Sequence, residues 1–292
     1  MEENKMIYLD YAAATPVDKE VLLRYMEVTT KYFANPNANH KLGQDAAKLI
    51  SESTKKIASY LGVEPEEIIY TSGASESNNL AIKGISERYK NFGRHILISS
   101  LEHNSVVSSA TRLQEQGFEV EVVPVNQEGL IDLNSLKSLL REDTILVSIC
   151  TVDSEIGLKQ PIEEIGEILK NYPHCHFHTD ATQAIGKIPV HLENVDLLTF
   201  APHKFYGLTG IGGLIKKKNI SLRPQMDGGK STTIYRAGTP DVASISALEK
   251  ALSLSLEALE KRYKIVSSHY EKVKNTLLTY PKVTINNTKN SI

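Results

Sequence analysis

Cysteine is scarce in this 292-residue chain, which carries only Cys150 and Cys175. Two thiols are too few for a disulfide framework and lack paired zinc-ligand spacing, so both are expected to be reduced, buried and inert. No apolar run approaches the length of a membrane span. The first residues, MEENKMIYLDYAAATP, lack the basic region and apolar stretch of a targeting leader, which leaves the cytoplasm as the default address. Neither sign of charge dominates, with 33 Lys and Arg against 35 Asp and Glu. The balance gives no electrostatic reason to expect nucleic acid or a membrane as partner, and suits a small neutral or anionic ligand. Internal repeats and low-complexity tracts are also missing. What is present is apolar material, 41% of residues, sufficient for a large core.

From about residue 66 that material alternates between short β-branched runs and amphipathic stretches. EIIYT, HILISS, EVEVVPV, TILVSIC, HFHTD, DLLTF and GGLIKK read as strands. SESNNLAIKGISERY, NSVVSSATRLQEQG, LNSLKSLL and PIEEIGEILKNY carry apolar residues three and four apart, as crossover helices do. The expectation is an α/β domain, a mostly parallel central sheet with helices on both faces. Residues 17–62 also show helical spacing. The run from Ser244 to Thr279 reads as a single extended helix, with Ile245, Leu248, Leu252, Leu256 and Leu259 on one face and Tyr280-Pro281 as its stop. After it, KVTINNTKNSI reads as one strand and a turn, too little to close a core. The expected division is an arm over 1–15, a large domain over 16–242, and over 243–292 a bridging helix with the start of an incomplete small α+β domain.

In HTDATQ, Asp180 stands at the carboxyl end of a buried strand, where open α/β sheets bind ligands. Either it pairs with a protonated ring nitrogen, or it caps the segment ATQAIG. Lys204, in APHKFYGLTGIGG, follows the apolar strand DLLTF; a lysine desolvated at a strand end becomes nucleophilic, although an ordinary solvated loop lysine fits the same stretch. A carboxylate for a pyridinium ion and an amine for an aldehyde, both at strand ends, point together to pyridoxal phosphate. TSGASESNNL supplies an anion site: Gly73 permits close backbone approach, and Ser75 lies where a helix begins, which is also where serines cap helices. His103, in SSLEHNSV just past another strand, is placed to stack on a cofactor ring and move protons, or to bond backbone in a loop.

With these segments in hand, a resemblance can be stated. LDYAAATP, ANPNANHKLG, TSGASESNN, SLEHNSV, SEIG, HTDATQ, HKFYG and RAGTPD occur in the order found in cysteine desulfurases of the NifS/IscS type, a branch of the class V aminotransferase family of pyridoxal-phosphate enzymes. The resemblance implies a type I PLP-dependent transferase fold. It implies that Lys204 holds the cofactor as a Schiff base, Asp180 pairs with its ring nitrogen, Gln183 bonds its phenolic oxygen and His103 stacks on the ring. Ser75 and His203 would hold the phosphate, with Gly73 and Ala74 also among the cofactor-binding residues, Ser154 would stand beside the cofactor, and Thr239 would reach the phosphate of a neighbouring subunit, which implies a homodimer. The implied reaction takes L-cysteine to L-alanine and passes sulfur to an acceptor or scaffold protein of iron-sulfur assembly or thiolation. Catalytic roles fall on Lys204 and His103, and no metal is implied.

The chain departs from the family pattern in places. It is expected to stop before the segment that carries the family's sulfur-accepting cysteine, and Cys150 and Cys175 match no family nucleophile. Ser154 stands for an asparagine, Ala201 for a phosphate-binding serine, Pro202 for a small residue, Asp227 for a histidine and Ala14 for a threonine. These departures leave room for a truncated, non-catalytic cofactor-binding protein or another class V aminotransferase. Two other patterns mislead. His174, His176, His178 and Asp180 alternate as same-face strand residues do, yet lie too far apart to share one ion. GGKST at 228–232 lacks the first glycine of a phosphate-binding loop, because Pro224 occupies that position.

Overall fold

The computed structural model describes residues 6–229, 231–285 and 290–292. One sheet contains β1 (Ile68–Thr71), β2 (His95–Ser99), β3 (Glu119–Val123), β4 (Thr144–Ser148), β5 (His176–Asp180), β6 (Leu197–Phe200) and β7 (Gly212–Lys216). These are the seven runs expected from the sequence, in the order β1-β7-β6-β5-β4-β2-β3. Only β7 runs against its neighbours, β1 and β6; the other pairings are parallel. Six strands therefore end on one edge of the sheet, where the connecting loops gather.

Alternation along the strands builds a core on each face. Ile69, Ile96, Ile98, Leu197 and Leu214 pack with α3 (Ala74–Tyr89) and α4 (Asn104–Gln114). Leu97, Val147, Phe177, Leu198 and Ile215 turn the other way, towards α1 (Lys19–Lys31), α2 (Lys41–Leu61), α5 (Leu133–Leu139), α6 (Ile162–Leu169) and α7 (Val242–Glu257). Side-chain caps set several helix starts: Asp18 accepts from the Glu20 amide at 2.8 Å and Asp241 from the Ser244 amide at 3.0 Å. Gly62, with φ 65°, ends α2 in the left-handed conformation that glycine adopts without strain.

The single helix expected from Ser244 to Thr279 is instead two, α7 and α8 (Leu259–Leu277), parted at Ala258. Ile245, Leu248 and Leu252 are buried, as the apolar face requires, but no residue of α8 is buried, so the packing that would keep one straight helix runs out. The break is also anchored. The Ser255 hydroxyl donates to the Phe205 carbonyl at 2.9 Å, and the Arg262 guanidinium lies 4.1 Å from the Tyr206 ring centre. Of the strand expected over 282–292, residues 282–285 form none, residues 286–289 lie outside the described residues, and Ser291 makes one isolated bridge to Leu158. Among the described residues no helix is long and apolar enough to cross a membrane.

Candidate active site

At the carboxyl edge of the sheet lies a cavity of about 330 Å³. It receives Gly73, Ala74 and Ser75 from the turn between β1 and α3, and His103 from the turn between β2 and α4. Ser154 comes from the loop after β4, Asp180 and Gln183 from the end of β5, and His203 and Lys204 from the turn after β6. Nine residues singled out in the sequence thus share one cavity. Thr239 does not join them; it lines a separate depression with Pro36, Asn37 and Gly238.

Lys204 ends a 3-10 turn, Pro202–Lys204, that leaves the buried strand β6. The turn is pinned by the LDYAAATP segment: the Thr15 amide and hydroxyl both donate to the His203 carbonyl, at 2.9 and 3.0 Å, and the Tyr206 amide donates to the Thr15 hydroxyl at 2.7 Å. Tyr206 sits at φ 66°, a conformation rare for a bulky residue, and these bonds with the Arg262 stacking hold it there. The Lys204 amine donates to the carbonyls of Ala12 and Ala13, each at 2.7 Å. Desolvation pushes its pKa below that of a free lysine, against the pull of Asp10 and Asp180. His203 is also pushed down, first by burial and then by the charges of Lys204 and Lys187.

Asp180 is 6% exposed, and its carboxylate is held by two donors, the Asn78 side-chain amide at 2.7 Å and the Thr182 backbone amide at 3.0 Å. The second bond is the turn cap considered for Asp180, and it leaves the carboxylate lining the cavity. Gln183 donates to the Ala12 carbonyl at 2.9 Å and accepts from the Lys187 amine, which fixes which way its amide faces. Lys187 was not visible as a site residue in the sequence; its place four residues after Gln183 is the signal that was there. Burial, and then the charge on Lys204, push Lys187 down to about 8.

The β1–α3 turn leaves backbone donors open. Gly73 rather than Ser75 is the N-cap of α3, and no side chain caps the helix, so the first-turn amides are open to a ligand. A Cβ at Gly212 would meet the Gly73 carbonyl carbon at 2.6 Å, so β7 and this turn touch backbone to backbone. Burial raises the nearby Glu76 carboxyl, but bonds from Arg236 and the Ser72 amide outweigh it and hold Glu76 below the usual range. The Arg236 guanidinium, 2.9 Å away, offsets that charge.

His103 is the N-cap of α4. Its Nδ1 accepts from the Ser105 amide at 3.1 Å and lies 2.8 Å from the Ser105 hydroxyl. Behind it, one oxygen of Glu102 accepts from the Cys150 amide at 2.7 Å and from the Ser99 hydroxyl at 2.5 Å. The other oxygen, Oε2, is shielded from solvent with no partner, although Glu102 as a residue is only half-buried. Desolvation drives this carboxyl up to about 8, despite the opposing bonds from Ser99 and Cys150. Cys150 borders the cavity, which its sequence position did not suggest, yet it is 4% exposed and burial raises its thiol well above the ordinary value. Cys175 is raised by burial as well.

Ser154 sits on a turn built by Asp153, whose carboxylate accepts from the amides of Glu155, Ile156 and Leu158 at 2.9, 2.9 and 2.8 Å. The alternating histidines are used for packing. His174 stacks on Phe92 at 4.7 Å, His176 lies 4.1 Å from Tyr89, and both ring nitrogens of His178 face hydroxyls, of Ser148 and Thr199. In GGKST, Lys230 lies outside the described residues.

Comparison with known proteins follows the same line. The aminotransferase class-V family matches residues 7–291. A NifS/IcsS protein homolog of Lactobacillus delbrueckii subsp. bulgaricus is 45% identical over 267 residues, covering 89% of this chain and 69% of that protein. The cysteine desulfurase IscS of Dictyoglomus turgidum is 42% identical over 257 residues, covering 87% of this chain and 65% of that protein. The chain therefore spans about two thirds of the length of these relatives. Among solved structures, a NifS-like protein superposes with a TM-score of 0.88 at 35% identity, over 94% of this chain and 74% of that one. SspA in complex with cysteine gives a TM-score of 0.80 at 38% identity, over 85% of this chain and 72% of that one.

Proposed function

We propose, for a chain that belongs to the class-V aminotransferase family and has the fold of type I pyridoxal-phosphate enzymes, a role as a cysteine desulfurase-like protein acting on L-cysteine. The observation that carries this reading is the convergence in one cavity of a desolvated lysine, a donor-held carboxylate and an uncapped helix start. Those groups fit the three chemically distinct parts of pyridoxal phosphate, its aldehyde, ring nitrogen and phosphate. When bound, the cofactor supplies a ring that withdraws electrons from the substrate, which no side chain offers.

The chain's own residues do the rest. Lys204 would hold the aldehyde, its lowered pKa leaving more of the amine free to react near neutral pH. Asp180, aimed by Asn78 and Thr182, would keep a proton on the ring nitrogen. Gln183 would offer its amide hydrogens to the phenolic oxygen, because Lys187 occupies its carbonyl. The amides at Ala74 and Ser75, with His203, would take the phosphate, and Glu76 does not repel it while paired with Arg236. His103, with its proton on Nε2, would stack on the ring and shuttle protons. Thr239, outside the cavity, would serve the phosphate of a second copy, so the working form would be a homodimer. SspA, solved with cysteine, supports the substrate assignment. A sulfur acceptor or scaffold protein and a cytoplasmic address complete the reading.

The burial of both thiols favours a second reading, that the chain binds cofactor and cysteine without itself passing on sulfur. Neither Cys150 nor Cys175 presents the accessible thiolate that sulfur transfer requires. Visible spectra with and without added cofactor, on wild type and Lys204→Ala, test the site: a new band is expected for the wild type and not for the variant. Alanine and sulfide release from L-cysteine separates the two readings. A wild type that develops no band overturns both.

A further inference from the structure

Asn78 is wholly buried in the second turn of α3, inside a helix where asparagine is a poor former, and its Oδ1 has no hydrogen-bond partner. An orphaned buried carbonyl costs stability, so packing alone does not account for the residue. Its Nδ2 donates to Asp180 Oδ2 at 2.7 Å and to Ser105 Oγ at 2.8 Å. Reversing the amide would set Oδ1 against a carboxylate and strand both amide hydrogens, so Asp180 fixes the direction of the amide. A hydroxyl has one proton. Since Ser105 Oγ accepts from Asn78, its proton goes to His103 Nδ1, 2.8 Å away, the nitrogen that already accepts from the Ser105 amide. With two donors at Nδ1, the proton of the neutral His103 ring resides on Nε2.

We propose that Asn78 and Ser105 are positioning residues that set Asp180 and His103 as one unit: Asp180 aims Asn78, Asn78 aims the Ser105 hydroxyl, and the hydroxyl fixes the orientation and tautomer of His103. The chain of bonds runs from the end of β5 through α3 to the start of α4, so the acid and the imidazole assigned to the cofactor ring are aligned before any ligand arrives. The inference rests on the proposed function for its purpose, but not for its geometry.

Two readouts test it, one of them free of cofactor. Nitrogen-15 spectra of histidine-labelled protein, with His103 assigned by loss of its signals in His103→Gln, report the bonding of Nδ1 directly. Ser105→Ala should move the Nδ1 resonance towards that of an unbonded ring nitrogen, and Ser105→Thr, which keeps the hydroxyl, should restore it. Asn78→Leu should move the same resonance in the same direction, although Asn78 does not touch His103. Asn78→Ala takes its place if the leucine variant does not fold. Cofactor titration is the second readout: Asn78→Leu should weaken Kd about tenfold or more, the range for a lost hydrogen bond to a charged group. The Asn78→Leu/Ser105→Ala double variant should be little worse than Asn78→Leu alone, as expected for residues in one chain. A His103 signal unchanged by the Asn78 substitution, or losses that add in full, overturns the proposal. A wild type that binds no cofactor would sink the proposed function instead, and the His103 signals would still decide this inference.

Discussion

Replacing Glu102 with glutamine should change how the stability of this protein depends on pH. Behind His103, the Glu102 carboxyl has one oxygen engaged by Ser99 and Cys150 and the other shielded without a partner. Burial raises its pKa from 4.5 to about 8, so the folded protein holds a proton there that the unfolded chain releases. A group with a raised folded pKa contributes stability that is whole below about pH 4.5 and is lost as pH rises through about 8. At about 1.4 kcal/mol per pH unit, the loss between pH 5 and 8 approaches 4 kcal/mol as a ceiling, reduced by any water that reaches the group. Glutamine has the same shape and no proton to lose. Denaturant unfolding of cofactor-free wild type and Glu102→Gln, at steps from pH 5 to 9, should show the wild type's advantage largest at pH 5 and shrinking steadily until about pH 8. A difference that stays level over that range would refute the reasoning, because it would mean that Glu102 is ionised in the fold throughout. The functional corollary is that a neutral Glu102 leaves Asp180 without a second negative charge from that direction.

Other expectations concern the frame around the cavity. Gly212→Ala drives a methyl into the Gly73 backbone at 2.6 Å, which should cost about 1–3 kcal/mol in unfolding experiments and weaken phosphate-dependent cofactor uptake; unchanged uptake would contradict the packing of β7 on the anion site. Thr15→Val removes the hydroxyl that bonds both His203 and Tyr206, and should lower stability by about 1–3 kcal/mol in denaturant titrations. Both thiols should resist a disulfide reagent such as DTNB in native protein and react on unfolding; rapid labelling of Cys150 without unfolding would reopen its candidacy as a nucleophile.

The elements legible from the sequence were those with strong local signals. The strand runs are bounded by turns and, except for β3 at one edge of the sheet, buried along their whole length, so β-branched residues announce them, and residues at the ends of parallel strands had to gather on one edge once the sheet was parallel. Lys204, Asp180 and the TSGAS turn were found that way. What stayed hidden depends on contacts between distant segments. The break at Ala258 lies within an uninterrupted apolar pattern and follows from bonds to the Lys204 turn, some fifty residues earlier. Ser75 looked like a cap because serines cap helices, whereas the cap of α3 is Gly73, two residues sooner. Asn78 and Ser105 read as ordinary polar residues of two helices, and only the packing of α3 on α4 brings them together. Glu102 resembled any charged loop residue until burial showed its carboxyl cut off from water.

The central claim is that one amine, at position 204, holds the cofactor. Protein saturated with pyridoxal phosphate, treated with borohydride and digested, gives peptides whose masses locate the captured group. The account predicts a pyridoxyl addition on Lys204. Lys187 is the built-in control, since its amine lies beside Gln183 with a pKa near 8. Addition at Lys187 in place of Lys204, or on no lysine of fully saturated protein, would contradict the account.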